Sequence, residues 1–170
     1  MTYFISSFSL ALMLISGLAQ ANTPLVKVGE GSAYWGIFKL YDAQFLTEPN
    51  LNLEEALSDD TAATIELCYT RSLTVENFIE GANNGLPANL SPQLVAAVNT
   101  LHQAYQPVQE GDCYVLSYEP QIGTQLLLNG QSLVKIPTPD FKAVYFGIWV
   151  GSNALSDKLK QNLTQGLVAR

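Results

Sequence analysis

The sequence has too few histidine and cysteine residues to build the common catalytic and metal centres. It contains one histidine, His102, and two cysteines, Cys68 and Cys113. A Ser-His-Asp triad would need that single histidine, which the surrounding helical pattern places on an exposed edge, and a multi-histidine metal site cannot form. A glycine-rich phosphate loop is also absent from the sequence. We therefore expect neither a metal nor a cofactor.

Basic residues are also scarce. The chain has 8 lysine and arginine residues against 15 acidic residues, which gives a formal net charge of −7. Nucleic acids and anionic membrane surfaces are bound through basic patches, so we expect neither as a partner. Hydrophobic residues make up 48% of the sequence, which excludes a disordered chain. The sequence identifies no protein partner.

The N-terminal stretch, residues 1–21, carries no charged side chain and ends in Ala19-Gln20-Ala21. An apolar run followed by a small-x-small site is typical of a signal peptide. The alternative is an uncleaved membrane anchor, but the run is shorter than the ~20 apolar residues that a spanning helix needs. We therefore predict cleavage after Ala21. Residues 22–170 would then form one exported domain, with the periplasm as its expected location and no membrane association.

Residues 124–151 give the clearest structural prediction. Asn129-Gly130 lies between two apolar runs, a pattern that favours a tight β-hairpin. Asp140 can cap a helix that follows the hairpin, and Gly151 can end that helix. Apolar residues recur between them at helical spacing, at Phe141, Val144, Tyr145 and Ile148. The stretch therefore predicts a hairpin followed by an apolar helix.

The order of predicted elements along the chain is β-β-α-α-β-β-β-α-α. This order favours an α+β domain, in which helices pack on one face of an antiparallel sheet. Within it, residues 29–31 predict a flexible corner, and residues 34–46 fit either one long bent strand or a hairpin that turns near Gly36. Cys68 and Cys113 both lie in strand-like runs, so they could form a disulfide or remain two buried thiols.

Several short motifs occur along the chain: VGEG at residues 28–31, LCY at 67–69, NG at 129–130, IPTPDF at 136–141 and YFGIW at 145–149. Together they resemble the bacterial chalcone isomerase-like domain, an exported relative of plant chalcone isomerase. They occur in the same order as in that family, and the resemblance covers residues 25–168. It implies an open-faced β-sandwich with a helical layer and a ligand cleft between the sheet and the helices.

The resemblance also implies where catalytic residues should stand. Chalcone isomerase uses an arginine on its early strand, and a tyrosine and an asparagine on the helix after the strand that matches residues 65–70. Here residues 28–35 contain no arginine, and the tyrosine position is Phe78. An asparagine, Asn84, stands near the expected place. We therefore predict no catalytic residues.

The resulting hypothesis is a non-catalytic binder of an apolar or fatty-acid-like small molecule, as the fatty-acid-binding relatives of chalcone isomerase are. Its predicted ligand-binding residues are Phe78, Asn84, Arg71 and Tyr41. One alternative is an intramolecular lyase or isomerase of the chalcone isomerase type with a rebuilt site, in which Arg71 replaces the missing arginine. Another is a structural or partner-binding domain whose aromatic residues fill the core. An open apolar cavity beside Phe78 and Asn84 would favour the first two.

Overall fold

The structure is a computed structural model that describes residues 23–169. The predicted signal peptide, residues 1–21, lies outside the described residues. The strands are β1 Val26–Trp35, β2 Phe38–Thr47, β3 Ala63–Tyr69, β4 Cys113–Glu119, β5 Gly123–Leu128 and β6 Gln131–Ile136. The helices are α1 Leu53–Leu57, α2 Val75–Gly85, α3 Pro92–Ala104, α4 Phe141–Val150 and α5 Asp157–Thr164. None of these helices is long and apolar enough to cross a bilayer.

The strands form one six-stranded antiparallel sheet in sequence order. Along β3, Ile65, Leu67 and Tyr69 are buried, while the residues between them are partly exposed. This period of two gives the sheet one face that carries the helices and one open face, where Gln44 hydrogen-bonds to Glu66. The predicted α+β fold is therefore confirmed.

The helix α4 lies at the centre of the core. Its buried side chains include Phe141, Tyr145 and Trp149. The chain enters it from the β5–β6 hairpin, whose turn residues Asn129 and Gly130 have φ of 51° and 82°. Positive φ at both central residues is the geometry that Asn-Gly favours in two-residue hairpin turns. The structure confirms both the hairpin and the helix that follows it.

The first two strands form a hairpin around Gly36, which decides between the two interpretations of this region. The corner predicted at residues 29–31 is wrong, because these residues lie inside β1. Here glycine permits close packing rather than a bend. A Cβ placed on Gly29 would lie 2.2 Å from the backbone oxygen of Asn162 and 2.3 Å from that of Leu163, so α5 could not approach β1.

The prediction for His102 is also wrong. His102 is only 9% exposed, whereas Val95 on the same helix is 44% exposed. The buried face of α3 carries Val98 and Leu101. His102 follows Val98 by four residues and therefore shares that face, where its ring packs near the ring of Tyr145 at 6.1 Å between centroids.

Cys68 and Cys113 form a disulfide between β3 and β4. The two residues pair directly in the register, and their Cα atoms are 4.1 Å apart. The bridge lies on the open face of the sheet, because its neighbours Leu67 and Tyr114 point into the core. Closing a loop of 45 residues constrains the unfolded chain, which stabilises the fold by roughly 4 kcal/mol.

Candidate ligand-binding site

A cavity of about 640 Å³ opens between the end of the sheet and the helices α2 and α4. This volume lies within the usual range of about 300–1,000 Å³ for small-molecule sites. The lining residues come from β1 to β3, the loop after β3, α2, α4 and the loops after α3 and α4. They are Trp35, Phe38, Leu40, Tyr41, Tyr69, Arg71, Ser72, Leu73, Asn77, Phe78, Glu80, Gly81, Ala82, Asn84, Tyr105, Ile148, Trp149 and Leu155.

All four residues that the sequence nominated lie on this wall. Tyr41 projects from β2, and Arg71 stands just after the end of β3. Phe78 and Asn84 both belong to α2 and are separated by six positions, so they line different parts of the same wall. The structure thus brings together residues that come from three separate segments of the chain.

Phe78 stands at the centre of an aromatic cluster. Its ring centroid lies 5.4 Å from that of Tyr69, 5.2 Å from that of Tyr105 and 5.5 Å from that of Tyr114. Rings at these separations attract one another through their edges and faces. Because Phe78 has no polar atom, it can neither donate nor accept a proton at the position where the resemblance predicts a catalytic tyrosine. It provides apolar surface instead.

Tyr41 supplies a polar group on the wall. Its hydroxyl oxygen accepts a hydrogen bond from the Nε1–H of Trp149 at 3.0 Å. An indole nitrogen can only donate, so the hydroxyl hydrogen of Tyr41 remains available to a ligand oxygen. Burial raises the pKa of Tyr41 above its ordinary value. The group is therefore a neutral hydrogen-bond donor throughout the physiological pH range.

The other phenols on the wall are neutral for the same reason. Burial raises the pKa of Tyr69 and of Tyr105 above the ordinary tyrosine value. The Tyr105 hydroxyl also lies 2.7 Å from that of Tyr145, which occupies it in a buried hydrogen bond. A phenolate base is thus disfavoured, and the deep part of the cavity suits an uncharged, apolar molecule.

The charged groups lie nearer the rim. Arg71 is exposed and places its guanidinium carbon 5.0 Å from the centroid of the Phe38 ring, a cation–π arrangement. Among the lining residues that the structure describes, Arg71 carries the only positive charge and Glu80 the only negative one. An anionic head group can therefore reach a cation at the mouth while its tail lies against the rings.

The sequence did not nominate several of the lining residues. Gly81 lies in the middle of α2, and a Cβ built on it would meet no atom within 4 Å, so this position faces open space. A lone glycine inside a helical pattern was the available signal. Leu155 reaches the wall from the loop after α4, and Ser72 from the loop after β3. No local pattern marks these two positions, because their loops are placed only by the tertiary fold.

Comparisons with known proteins agree with this architecture. A sequence model described as chalcone isomerase-like matches residues 17–164. The crystal structure of the Arabidopsis thaliana fatty-acid-binding protein AtFAP1 superposes with a TM-score of 0.63 and 11% sequence identity, covering 82% of this chain and 86% of that one. At this identity the likeness shows a common fold. No curated protein matches the chain. Since the sequence model covers most of the chain, this protein belongs to the chalcone isomerase-like family.

Proposed function

We propose that this protein is an exported, non-catalytic binder of one apolar, fatty-acid-like molecule. The observation that carries the proposal is the open aromatic cavity with Arg71 at its rim. A domain with a filled core would have no such space, so the structural alternative loses support. AtFAP1, which shares this fold, is described as a fatty-acid-binding protein, and this adds support.

The cavity wall matches the two parts of such a ligand. Rings and aliphatic side chains line most of it, and each methylene that leaves water contributes about 0.8 kcal/mol. A tail of about ten methylenes would thus contribute on the order of 8 kcal/mol, against which the entropic cost of association acts. At the other end, Arg71 attracts a carboxylate, and the Tyr41 hydroxyl can donate to an oxygen.

The same wall disfavours ring-closing catalysis. A missing positioned proton donor typically costs ~10²–10⁴ in rate, and Phe78 has no hydroxyl to supply. A missing oxyanion donor costs a further ~10²–10³, and residues 28–35 contain no arginine. Binding is therefore the function that this geometry supports best.

A cavity-filling variant tests the proposal. Gly81→Leu places a side chain into the open space that Gly81 faces, without disturbing the helix backbone. The matched control is Gly147→Leu in α4, where a Cβ also meets no atom within 4 Å but the position does not line the cavity. We expect dodecanoic acid to raise the melting temperature of the unmodified protein and of the control, because a ligand that binds only the folded state stabilises it. Equal binding by Gly81→Leu would refute the site.

A rebuilt isomerase remains the second candidate, because Arg71 and Tyr41 both line the cavity. In that case the unmodified protein should cyclise chalcones, and Arg71→Ala should abolish the activity. The binding proposal instead predicts no turnover above the rate in solvent. It also predicts at most a weak gain from Phe78→Tyr, since the restored hydroxyl would act without a cation placed to stabilise the developing charge.

Export is the part of the proposal that concerns residues 1–21. It rests on their lack of charge and on the Ala19-Gln20-Ala21 site. Intact-mass analysis of protein from the extracytoplasmic fraction should show a chain that begins at Asn22. A full-length chain confined to the membrane fraction would identify an anchor instead.

A further inference from the structure

The turn between β1 and β2 exposes an unusual run of large apolar side chains. Tyr34 is 61% exposed, Trp35 74%, Ile37 88% and Phe38 51%. We call residues 34–38 the hairpin tip; Gly36, with φ of 59°, makes its turn. Soluble proteins rarely expose contiguous apolar patches larger than a few hundred Å², and patches of that size often mark places of interaction.

The hairpin tip is continuous with the mouth of the cavity. Trp35 and Phe38 belong to both, since each lines the cavity and is also largely exposed. Arg71 lies over the Phe38 ring at the same place. Anything that covers the hairpin tip therefore also faces the opening through which a ligand enters or leaves.

We propose that the hairpin tip docks on a phospholipid bilayer and holds the mouth of the cavity against it. Tryptophan and tyrosine favour the membrane–water interface, where an apolar ring body and a polar edge are both satisfied. Ile37, at the end of the turn, supplies the side chain that enters the acyl region. Arg71, whose guanidinium lies over the Phe38 ring, supplies a cation beside the tip for lipid phosphate groups.

The size of the hairpin tip argues against a second copy of the chain as its partner. Four partly exposed side chains offer roughly 500 Å² of apolar surface, at about 200 Å² for each large side chain. A stable protein interface needs about 800 Å² on each partner. A small protruding tip instead suits insertion into a fluid surface.

The sequence led to the opposite expectation, that the protein does not associate with membranes, because that expectation rested on net charge. A net charge of −7 disfavours anionic surfaces, but apolar insertion into a neutral bilayer needs no basic patch. Docking at the mouth deepens the proposed function and rests on it for its purpose, since an apolar ligand is far more concentrated in a bilayer than in water.

Flotation with neutral phosphatidylcholine vesicles tests the docking surface. The informative variant is Ile37→Ser, because Ile37 is exposed and does not line the cavity. The matched control is Ile122→Ser, an exposed isoleucine beside β5 at the opposite end of the sheet. We expect the unmodified protein and the control to float, and Ile37→Ser to lose at least about tenfold in vesicle affinity, because one buried aliphatic side chain is removed from the acyl region.

Tryptophan emission gives a second readout. Trp149 lines the cavity, so the measurement uses Trp149→Phe, in which Trp35 is the remaining tryptophan. A shift of its emission to shorter wavelength on adding vesicles would report Trp35 entering the interface. No shift, no flotation, or an equal loss in both serine variants would overturn the proposal. So would a dimer in solution that Ile37→Ser dissociates, since a second copy would then be what covers the tip.

Affinity for dodecanoic acid, measured without vesicles, separates the two proposals. It should be equal in the unmodified protein, Ile37→Ser and Ile122→Ser. A protein that binds the acid but does not float keeps the proposed function and overturns the docking surface. A protein that floats but does not bind the acid loses the proposed function, while the docking surface stands.

Discussion

At the position where the family's catalytic tyrosine is expected, Phe78 contributes an apolar ring. Its neighbours are tyrosines whose burial raises their pKa, so no group close to it is suited to take up a proton. Tyr41 adjoins this cluster, with its ring 5.5 Å from that of Tyr69 and its hydroxyl bonded to Trp149, whereas the charge of Arg71 lies near the mouth. An apolar interior with a cation near its mouth suits a long-chain carboxylate.

Arg71→Ala should weaken the binding of dodecanoic acid but leave that of dodecanol unchanged. The guanidinium interacts with the carboxylate alone, and at an exposed site such a pair contributes about 1 kcal/mol, or roughly fivefold in affinity. Lys39→Ala is the control, because Lys39 pairs with Asp42 and does not line the cavity. Calorimetric titration measures both ligands. Equal losses for the acid and the alcohol would show that Arg71 acts through packing and not through charge.

Trp149→Ala should lower the free energy of unfolding by ~3–5 kcal/mol, the usual cost of truncating a buried large aromatic residue. Trp149 is 7% exposed, and its replacement also removes the hydrogen bond to Tyr41. The control is Trp35→Ala at the exposed hairpin tip, for which we expect a change within about 0.5 kcal/mol. Denaturant titration compares the two. Similar midpoints for both variants would mean that the indole of Trp149 contributes little to the stability of the core.

Among the elements, α4 is joined to α1 and to the loop before β3 by a buried lysine. The Nζ of Lys142 donates to the backbone oxygens of Thr61 at 2.7 Å and Ala56 at 3.1 Å. It also lies 4.4 Å from the centroid of the Tyr118 ring. Burial is the main cause that lowers the pKa of Lys142 to about 8, partly offset by the nearby charge of Asp59.

This lysine predicts a pH dependence of stability. Between the folded pKa of about 8 and the ordinary lysine value of 10.5, the unfolded chain keeps the proton and the folded chain releases it. The unfolded state then binds more protons, so this group makes stability rise with pH across that window. Below it, both states carry the charge and the folded state bears the full cost of burying it.

Lys142→Met should remove this rise. The variant also leaves the oxygens of Ala56 and Thr61 without their donor, so its stability at neutral pH should fall by about 1–3 kcal/mol. The buried tyrosines make stability fall above pH 10 or so, which opposes the rise. They contribute equally to both proteins, so their contribution cancels in the difference between the two free energies of unfolding. Urea titrations from pH 7 to pH 9.5 or so measure that difference. A difference that stays flat across this range would show that Lys142 keeps its proton in the folded state.

Local chemistry explains which elements could be predicted from the sequence. Asn129-Gly130 specifies a hairpin through its own backbone preferences, and this hairpin was predicted correctly. The start of α4 after Asp140 was also predicted correctly, but the predicted cap was wrong, because Asp140 has a positive φ of 62° and its side chain makes no capping hydrogen bond. His102 was misplaced because the buried face of a helix depends on what packs against it. The bridge between Cys68 and Cys113 stayed undecided for a similar reason, since it requires the register of two strands 45 residues apart.

For the whole molecule, the meander of six strands leaves helices on one face and a cavity at one end of the sheet. The sequence predicted this fold and nominated Phe78 and Asn84 through the family resemblance, and Tyr41 and Arg71 from the chain's own aromatic and charged residues. It could not show that they line one cavity, because that depends on how α2 and the loop after α4 sit against the sheet. Gly81 and Leu155 show the limit of prediction from the sequence, since the tertiary packing alone places them on the cavity wall.

Native mass spectrometry of the protein purified from the cells that make it tests the central claim, that the cavity holds one apolar carboxylated molecule. The account predicts one additional mass per chain, identified after release as a long-chain carboxylic acid. The mass should be retained by Gly147→Leu and lost from Gly81→Leu, whose new side chain occupies the cavity. A chain that carries no ligand, or a ligand that Gly81→Leu retains in full, would contradict the claim.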